Sequence, residues 1–279
     1  MAAVVVLVMA VFEEKLIFFP TSYPDGEWQV GEVVRGSGCT LEDCFYAAED
    51  GTRLHSWWCR PPEPTATGPV ILFFHGNAGN LSHRADFVLE LAARVGAEVV
   101  AAGYRGYGRS DGKPSESGLY ADARAAWEFI TAERGVDPRR VVIFGKSLGG
   151  AVAVNLATET APAGLIVESS FTSIPDMAAR HYPFVPRFLI RTRMESLAKV
   201  ANIRCPLLVV HSKADRVVPF DLGRRLFEAA PQPKTFYEVV GAGHNETWLV
   251  GGPAYFDAAA NLVRTAVQAP SAGRTTKNP

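Results

Sequence analysis

Six short, mainly apolar runs, each followed by a turn and a stretch with helical spacing, constrain this chain more than any other feature. They are VILFF (70–74), EVVAA (98–102), RVVIFG (140–145), GLIV (164–167), PLLVV (206–210) and KTFYEVV (234–240). Each is too short for an ordinary helix and lacks the alternation of a half-solvated strand, the pattern of parallel strands buried on both faces and crossed by helices. The spacing predicts a helix capped by Ser82, with Val88, Leu91 and Val95 on one face and Gly96 ending it in the left-handed conformation. Tyr120, Ala123, Trp127 and Ile130 repeat that spacing before Gly135. Upstream, Asp50-Gly51 between two strand-like stretches predicts a hairpin feeding the sheet edge. The expected fold class is α/β, a mostly parallel twisted sheet with helices on both faces and an insert over about 171–203. The expected organisation is an apolar segment at 1–20, one domain over 21–268 and a flexible tail at 269–279.

Composition narrows the partners. The 279 residues are 48% apolar, and 28 Lys and Arg stand against 29 Asp and Glu, so no basic field steers the chain onto nucleic acid. Four cysteines, Cys39, Cys44, Cys59 and Cys205, show no metal-ligand spacing with histidine and read by default as buried or incidental thiols, and neither a metal nor a cofactor is expected. Cys39 and Cys44 are close enough in sequence to cross-link in an oxidising compartment. The uncharged start MAAVVVLVMAVF would rise roughly 18 Å as a helix, short of a roughly 30 Å hydrocarbon core. It reads either as a shallow anchor or as a segment packed on the domain. The expected location is cytoplasmic, with membrane association through this segment or the insert left open.

The motif with the most chemistry is GKSLGG (145–150), set between an apolar strand and a good helix former. Strand, sharp turn and helix in that order would present Ser147 above the sheet edge, with glycines at 145 and 149 letting the turn tighten. A hydroxyl is a weak nucleophile and needs a base. Of the histidines, His244 in VVGAGHNE is best placed, in a glycine-rich loop after the last apolar run. An acid must orient that imidazole. Asp215 in HSKADRVVP precedes it with room to reach, while Glu168 in LIVESSF competes from hard against a strand end. A developing oxyanion needs donors, and FFHGNAGN (73–80) offers the N–H of Asn77 to pair with that of Leu148. His75 reads as a brace for that loop. His55, His83 and His211 read as structural or exposed.

Together HGNAGN, YRGYGRSDG (104–112), GKSLGG, HSKADRVVP (211–219) and GAGHNE (241–246) resemble the α/β-hydrolase superfamily, in its serine-aminopeptidase-like and monoacylglycerol-lipase-like branch, over roughly residues 45–265. The resemblance implies Ser147 as nucleophile, His244 as general base and acid, Asp215 as its orienter, and the Asn77 and Leu148 amides as oxyanion hole. LIFFP (16–20) is similar to the segment after a membrane-proximal N-terminus in relatives. One departure is Gly103, where relatives usually carry aspartate before YRGYG.

The expected activity is hydrolysis of a carboxylic ester or thioester of a small-molecule acyl substrate through an acyl-enzyme. A serine peptidase of the aminopeptidase type and a non-catalytic binding protein on the same fold are the alternatives. The resemblance implies that the insert over about 171–203 is a short lid, and its ARHYPFVPRFLIRTRMESLAK reads either as an apolar face rimmed by arginine, fit to meet an acyl chain, a membrane surface or an anionic group, or as an amphipathic helix with solvated arginines.

Overall fold

A computed structural model of the chain describes residues 13–268. The apolar residues 1–12 and the tail 269–279 lie outside the described residues.

Eight strands form one sheet: β1 (Thr40–Ala47), β2 (Arg53–Arg60), β3 (Val70–Phe74), β4 (Glu98–Ala102), β5 (Val141–Lys146), β6 (Gly164–Glu168), β7 (Leu207–His211) and β8 (Lys234–Glu238). Their order is β1-β2-β4-β3-β5-β6-β7-β8. β1 pairs with β2 and β2 with β4 in antiparallel register, and all other neighbours are parallel. β3, β5, β6 and β7 are buried nearly throughout, which is why their sequences run apolar without alternation. The pleat sends Leu72, Ile143 and Val209 to one core and Phe73, Phe144 and Val210 to the other. Helices Glu116–Glu128 and Leu148–Glu159 cover the first face, and helices Ala85–Val95 and Thr247–Gln268 the second. From β3 the chain goes to β4 on one side and then returns to β5 on the other. The carboxyl ends of β3 and β5 therefore flank a topological switch point, where open α/β sheets place their ligands.

Several local expectations need correction. Gly96 ends its helix at φ +67°, as its position predicts, but the preceding turn is capped by Asn80 and not Ser82. Asn80 Oδ1 accepts from the Ser82 N–H at 3.0 Å, and Ser82 is buried, its hydroxyl accepting from the Glu27 N–H. A 3-10 turn over Leu81–Arg84 shifts the α-helix to Ala85. The cysteines are all free and buried. Cys44 lies in the first core and Cys39 in the second with Cys59, so the sheet stands between the pair read as able to cross-link.

The boundary drawn at residue 20 does not separate two bodies. Phe18 is buried in the first core, and Pro20 and Ser22 form parallel bridges to Gly79 and Gly108. No helix among the described residues is long and apolar enough to cross a membrane.

Candidate active site

Ser147 sits at the end of β5, where the chain must turn at once into the helix Leu148–Glu159. Its φ of 53° and ψ of −117° lie outside the regions an L-residue favours, a strain of roughly 1–3 kcal/mol that neighbours must hold in place. They do so on both sides of the peptide. The Ser147 N–H donates to the Glu168 carbonyl at 2.8 Å, and the Ser147 carbonyl accepts from the Ser170 hydroxyl and the Gly150 N–H at 2.8 and 2.9 Å. The glycines are steric necessities: a Cβ on Gly145 would lie 2.1 Å from the Gly149 carbonyl, and one on Gly149 2.1 Å from that of Phe74.

His244 and Asp215 reach Ser147 from loops beyond β8 and β7. His244 Nε2 lies 3.0 Å from Ser147 Oγ, and its Nδ1 lies 2.7 Å from Asp215 Oδ2. The other Asp215 oxygen accepts the N–H groups of Val217 and Val218, both at 2.8 Å. Burial alone would push this carboxyl up. The hydrogen bonds from His211 and His244 and from the backbone outweigh burial and hold it well below the usual carboxylate range. Asp215 is thus an anion at any working pH, with one oxygen fixed by the backbone and the other aimed at the imidazole.

His211, read from the sequence as structural or exposed, is fully buried with Nε2 3.0 Å from the Val218 carbonyl and 3.5 Å from Asp215. Gly223 makes its room, since a Cβ there would lie 2.1 Å from the ring. The only sequence signal was HSKAD itself, which sets the two residues four apart.

The loop after β3 crosses directly over the serine, where a Cβ on Gly76 would stand 3.5 Å from that of Ser147. The Asn77 side chain explains the loop's shape. Its oxygen accepts from the Phe19 N–H and the Tyr107 hydroxyl, both at 3.0 Å, and its amide donates to the Ile17 carbonyl at 2.5 Å. The Asn77 backbone N–H has no acceptor among the described residues, and Leu148, first in its helix, has none within the helix. Tyr104 donates to the His75 carbonyl at 2.9 Å, so the YRGYG motif braces this loop from below. His75 is the expected brace: fully buried, with burial and then the Arg84 charge lowering its pKa to about 3. Gly103 has a physical reason as well, because a Cβ there would lie 2.6 Å from the His55 carbonyl.

Glu168, the competing acid, is engaged elsewhere. It is fully buried, 2.8 Å from Lys146 Nζ, and accepts hydroxyl bonds from Thr247 at 2.5 Å and from Tyr255. Burial opposes its ionisation, but the Lys146 charge and these bonds prevail and lower its pKa. Thr247 and Tyr255 belong to the helix that follows the His244 loop. The pair therefore fastens that loop to the strand bearing Ser147, a role no motif announced.

A cavity of about 1170 Å³ opens over Ser147, somewhat above the usual range of small-molecule pockets. Its wall is largely apolar and includes Ile17 and Phe19 near the N-terminus, Phe87 of the helix Ala85–Val95, Ile174 and Met177 of the insert, and Trp248 after the histidine loop. The N-terminal contribution was not foreseen. It is held by the Asn77 bonds and by Glu13, whose carboxylate accepts the Thr192 N–H at 2.6 Å. The insert holds a helix at Ile174–His181, a 3-10 turn at Arg187–Leu189 and a helix at Ser196–Val200. Its arginines are neither a free rim nor simply solvated. Arg180 pairs with Asp221, Arg187 with Asp176, Arg191 with Glu13 and Arg193 with Glu195. Tyr182, Phe184 and Phe188 remain exposed. No cluster of three metal-binding side chains occurs among the described residues.

A family profile described as serine aminopeptidase, S33, matches residues 65–193. An uncharacterised protein of Mycobacterium tuberculosis is 40% identical over 91% of this chain and 89% of its own length. The alpha/beta hydrolase domain-containing protein WAV2 of Arabidopsis thaliana is 34% identical over 90% of this chain and 87% of its own. Among solved structures, the Pyrococcus furiosus esterase Pf2001 superposes with a TM-score of 0.71 over 89% of this chain and 99% of that one, at 18% identity, a likeness of fold.

Proposed function

The chain belongs to the alpha/beta hydrolase domain-containing family, and from that premise we propose that it is a serine hydrolase cleaving carboxylic esters or thioesters of a small acyl substrate through an acyl-enzyme. The observation that carries this reading is the hydrogen-bond chain from Ser147 through His244 to Asp215. His244 Nε2 takes the Ser147 proton as Oγ attacks the acyl carbonyl, and Asp215 stabilises the imidazolium that forms. The carbonyl oxygen becomes an oxyanion facing the Asn77 and Leu148 amides, each supplying about 3 to 4 kcal/mol. Collapse breaks the bond to the alcohol or thiol, which leaves with the proton from His244. Water, deprotonated by the same nitrogen, then releases the acid and restores Ser147.

The apolar wall suits an acyl chain. The serine aminopeptidase profile favours a second reading, amide cleavage, in which the leaving group is a poorer one.

Labelling by a fluorophosphonate probe tests the first reading: the native chain labels and Ser147→Ala does not. Labelling that persists in the variant overturns the assignment. A panel of 4-nitrophenyl esters beside aminoacyl anilides separates the two readings, and faster anilide turnover reverses their order.

A further inference from the structure

Two permanent cations line the cavity over Ser147, Lys146 and Arg84. Lys146 is neutralised by Glu168. Arg84 differs. Its Nη2 donates to the Ala78 carbonyl at 2.5 Å, and it forms no ion pair with a carboxylate among the described residues. The rest of its five donors have no protein acceptor there. Asp86 and Glu246 line the same cavity without pairing to it. The side chain is half-buried, and burial lowers its pKa from the ordinary arginine value. It stays cationic nonetheless, and its charge is felt at His75 beneath the loop. The arginines of the insert each have an internal carboxylate, and Lys146 has Glu168, so among the described residues Arg84 is the cation of this cavity wall that has none.

A guanidinium withdrawn from water without a counter-ion is costly unless something supplies one, and its planar fork matches a carboxylate or phosphate edge. The position is informative. Ala78, whose carbonyl Arg84 grips, directly follows Asn77 in the loop over the nucleophile. An anion held by Arg84 would therefore sit beside the loop that crosses over Ser147, on the wall of the same cavity.

Resting on the hydrolase reading, we propose that the cavity selects esters or thioesters that carry a carboxylate or phosphate close to the reacting carbonyl, with Arg84 as the residue that binds it. The lining gives Arg84 two tasks, shaping the loop through Ala78 and binding the anion. Only the second depends on the charge of the substrate.

The test uses matched ester pairs on the full chain. The 4-nitrophenyl esters of valerate and of glutarate differ only in a carboxylate on the acyl side. Phenyl acetate compared with 4-acetoxybenzoate and with 4-acetoxyphenyl phosphate places a carboxylate or a phosphate on the leaving group and tells the two anions apart. The readout is the ratio of kcat/KM for each anionic ester to its neutral partner, because a loss through Ala78 cancels in that ratio. The native chain is expected to favour at least one anionic ester about tenfold or more, as a charge-assisted pair allows. Arg84→Met should abolish that preference and Arg84→Lys should keep part of it, with thermal melts of both variants confirming the fold. Absence of a preference in the native chain overturns the proposal. So does a preference unchanged in Arg84→Met, which would leave Arg84 only its hold on Ala78. Failure of the hydrolase reading looks different: neutral and anionic esters alike would show no Ser147-dependent turnover.

Discussion

Replacing Glu168 by glutamine removes the one charge that neutralises Lys146 inside the protein while keeping the shape of the side chain. The Lys146 ammonium, which stands 2.8 Å from the carboxylate and is only 12% exposed, would be left with neutral partners alone, the glutamine amide oxygen and the Thr247 hydroxyl at 3.3 Å. Breaking a buried pair from one side typically costs about 3 to 5 kcal/mol, because the surviving charge keeps its desolvation penalty. At about 2 °C per kcal/mol for a chain of this size, thermal unfolding should move down by about 6 to 10 °C. Removing both charges, in Lys146→Met with Glu168→Gln, eliminates the stranded ion and should recover a large part of that loss. The pH dependence gives an independent check. The Glu168 carboxyl is held below its ordinary value of 4.5, so its contribution is present above that value and lost as pH falls through the folded pKa. The variant should lack this part of the acid-side decline. Differential scanning calorimetry of the native chain, both single variants and the double variant, at pH 7 and below 4.5, reads all of these outcomes. A Glu168→Gln melt within about 1 kcal/mol of the native chain, or a double variant that loses the sum of the two singles, would refute the reasoning.

Asp215→Asn should preserve the fold yet lower kcat by about 10⁴, the size of the effect when a triad acid is amidated and the imidazole is left in the wrong tautomer, as steady-state ester hydrolysis would reveal. Gly149→Ala sets a Cβ 2.1 Å from the Phe74 carbonyl, so this variant should lose both probe labelling at Ser147 and the cooperative melt. All four cysteines are buried and free, so thiol titration with an aromatic disulfide should find none reacting rapidly in the native state and four after denaturation. A reading of two in denaturant would instead reveal a disulfide.

The strands were legible because a parallel strand covered on both faces writes its burial directly into its own residues, as VILFF and RVVIFG do. The meeting of Ser147 with His244 and Asp215 was legible because strand, turn and helix around GKSLGG fix where that hydroxyl points. The positions of Asp215 and His244 follow from loops at the same sheet edge. The inner wall of the cavity was not legible. Glu13, Ile17 and Phe19 reach it through bonds to Thr192 and Asn77, and such partners leave no periodicity in either segment. Pairing of the insert's arginines is equally silent, since Asp176 and Asp221 look like ordinary first-turn acids. The conditional cross-link could have been set aside: Cys39 stands just before β1 and Cys44 inside it, five positions on, and strand parity continued back by one residue sends them to opposite faces, leaving both as the buried thiols that are the default.

The bonds from Asn77 and Thr192 to the segment around Glu13–Phe19 set a limit on how the protein can be handled. A worker wishing to dispense with the apolar opening for ease of purification could cut as far as residue 12 and leave these anchor points in place. Cutting to residue 20 would remove part of the wall facing Ser147, together with the buried ring of Phe18. The shortened protein could keep the entire sheet and the trio of Ser147, His244 and Asp215, yet present a different selectivity. Assays on such a trimmed chain would then report the preferences of an enzyme that the full sequence does not encode.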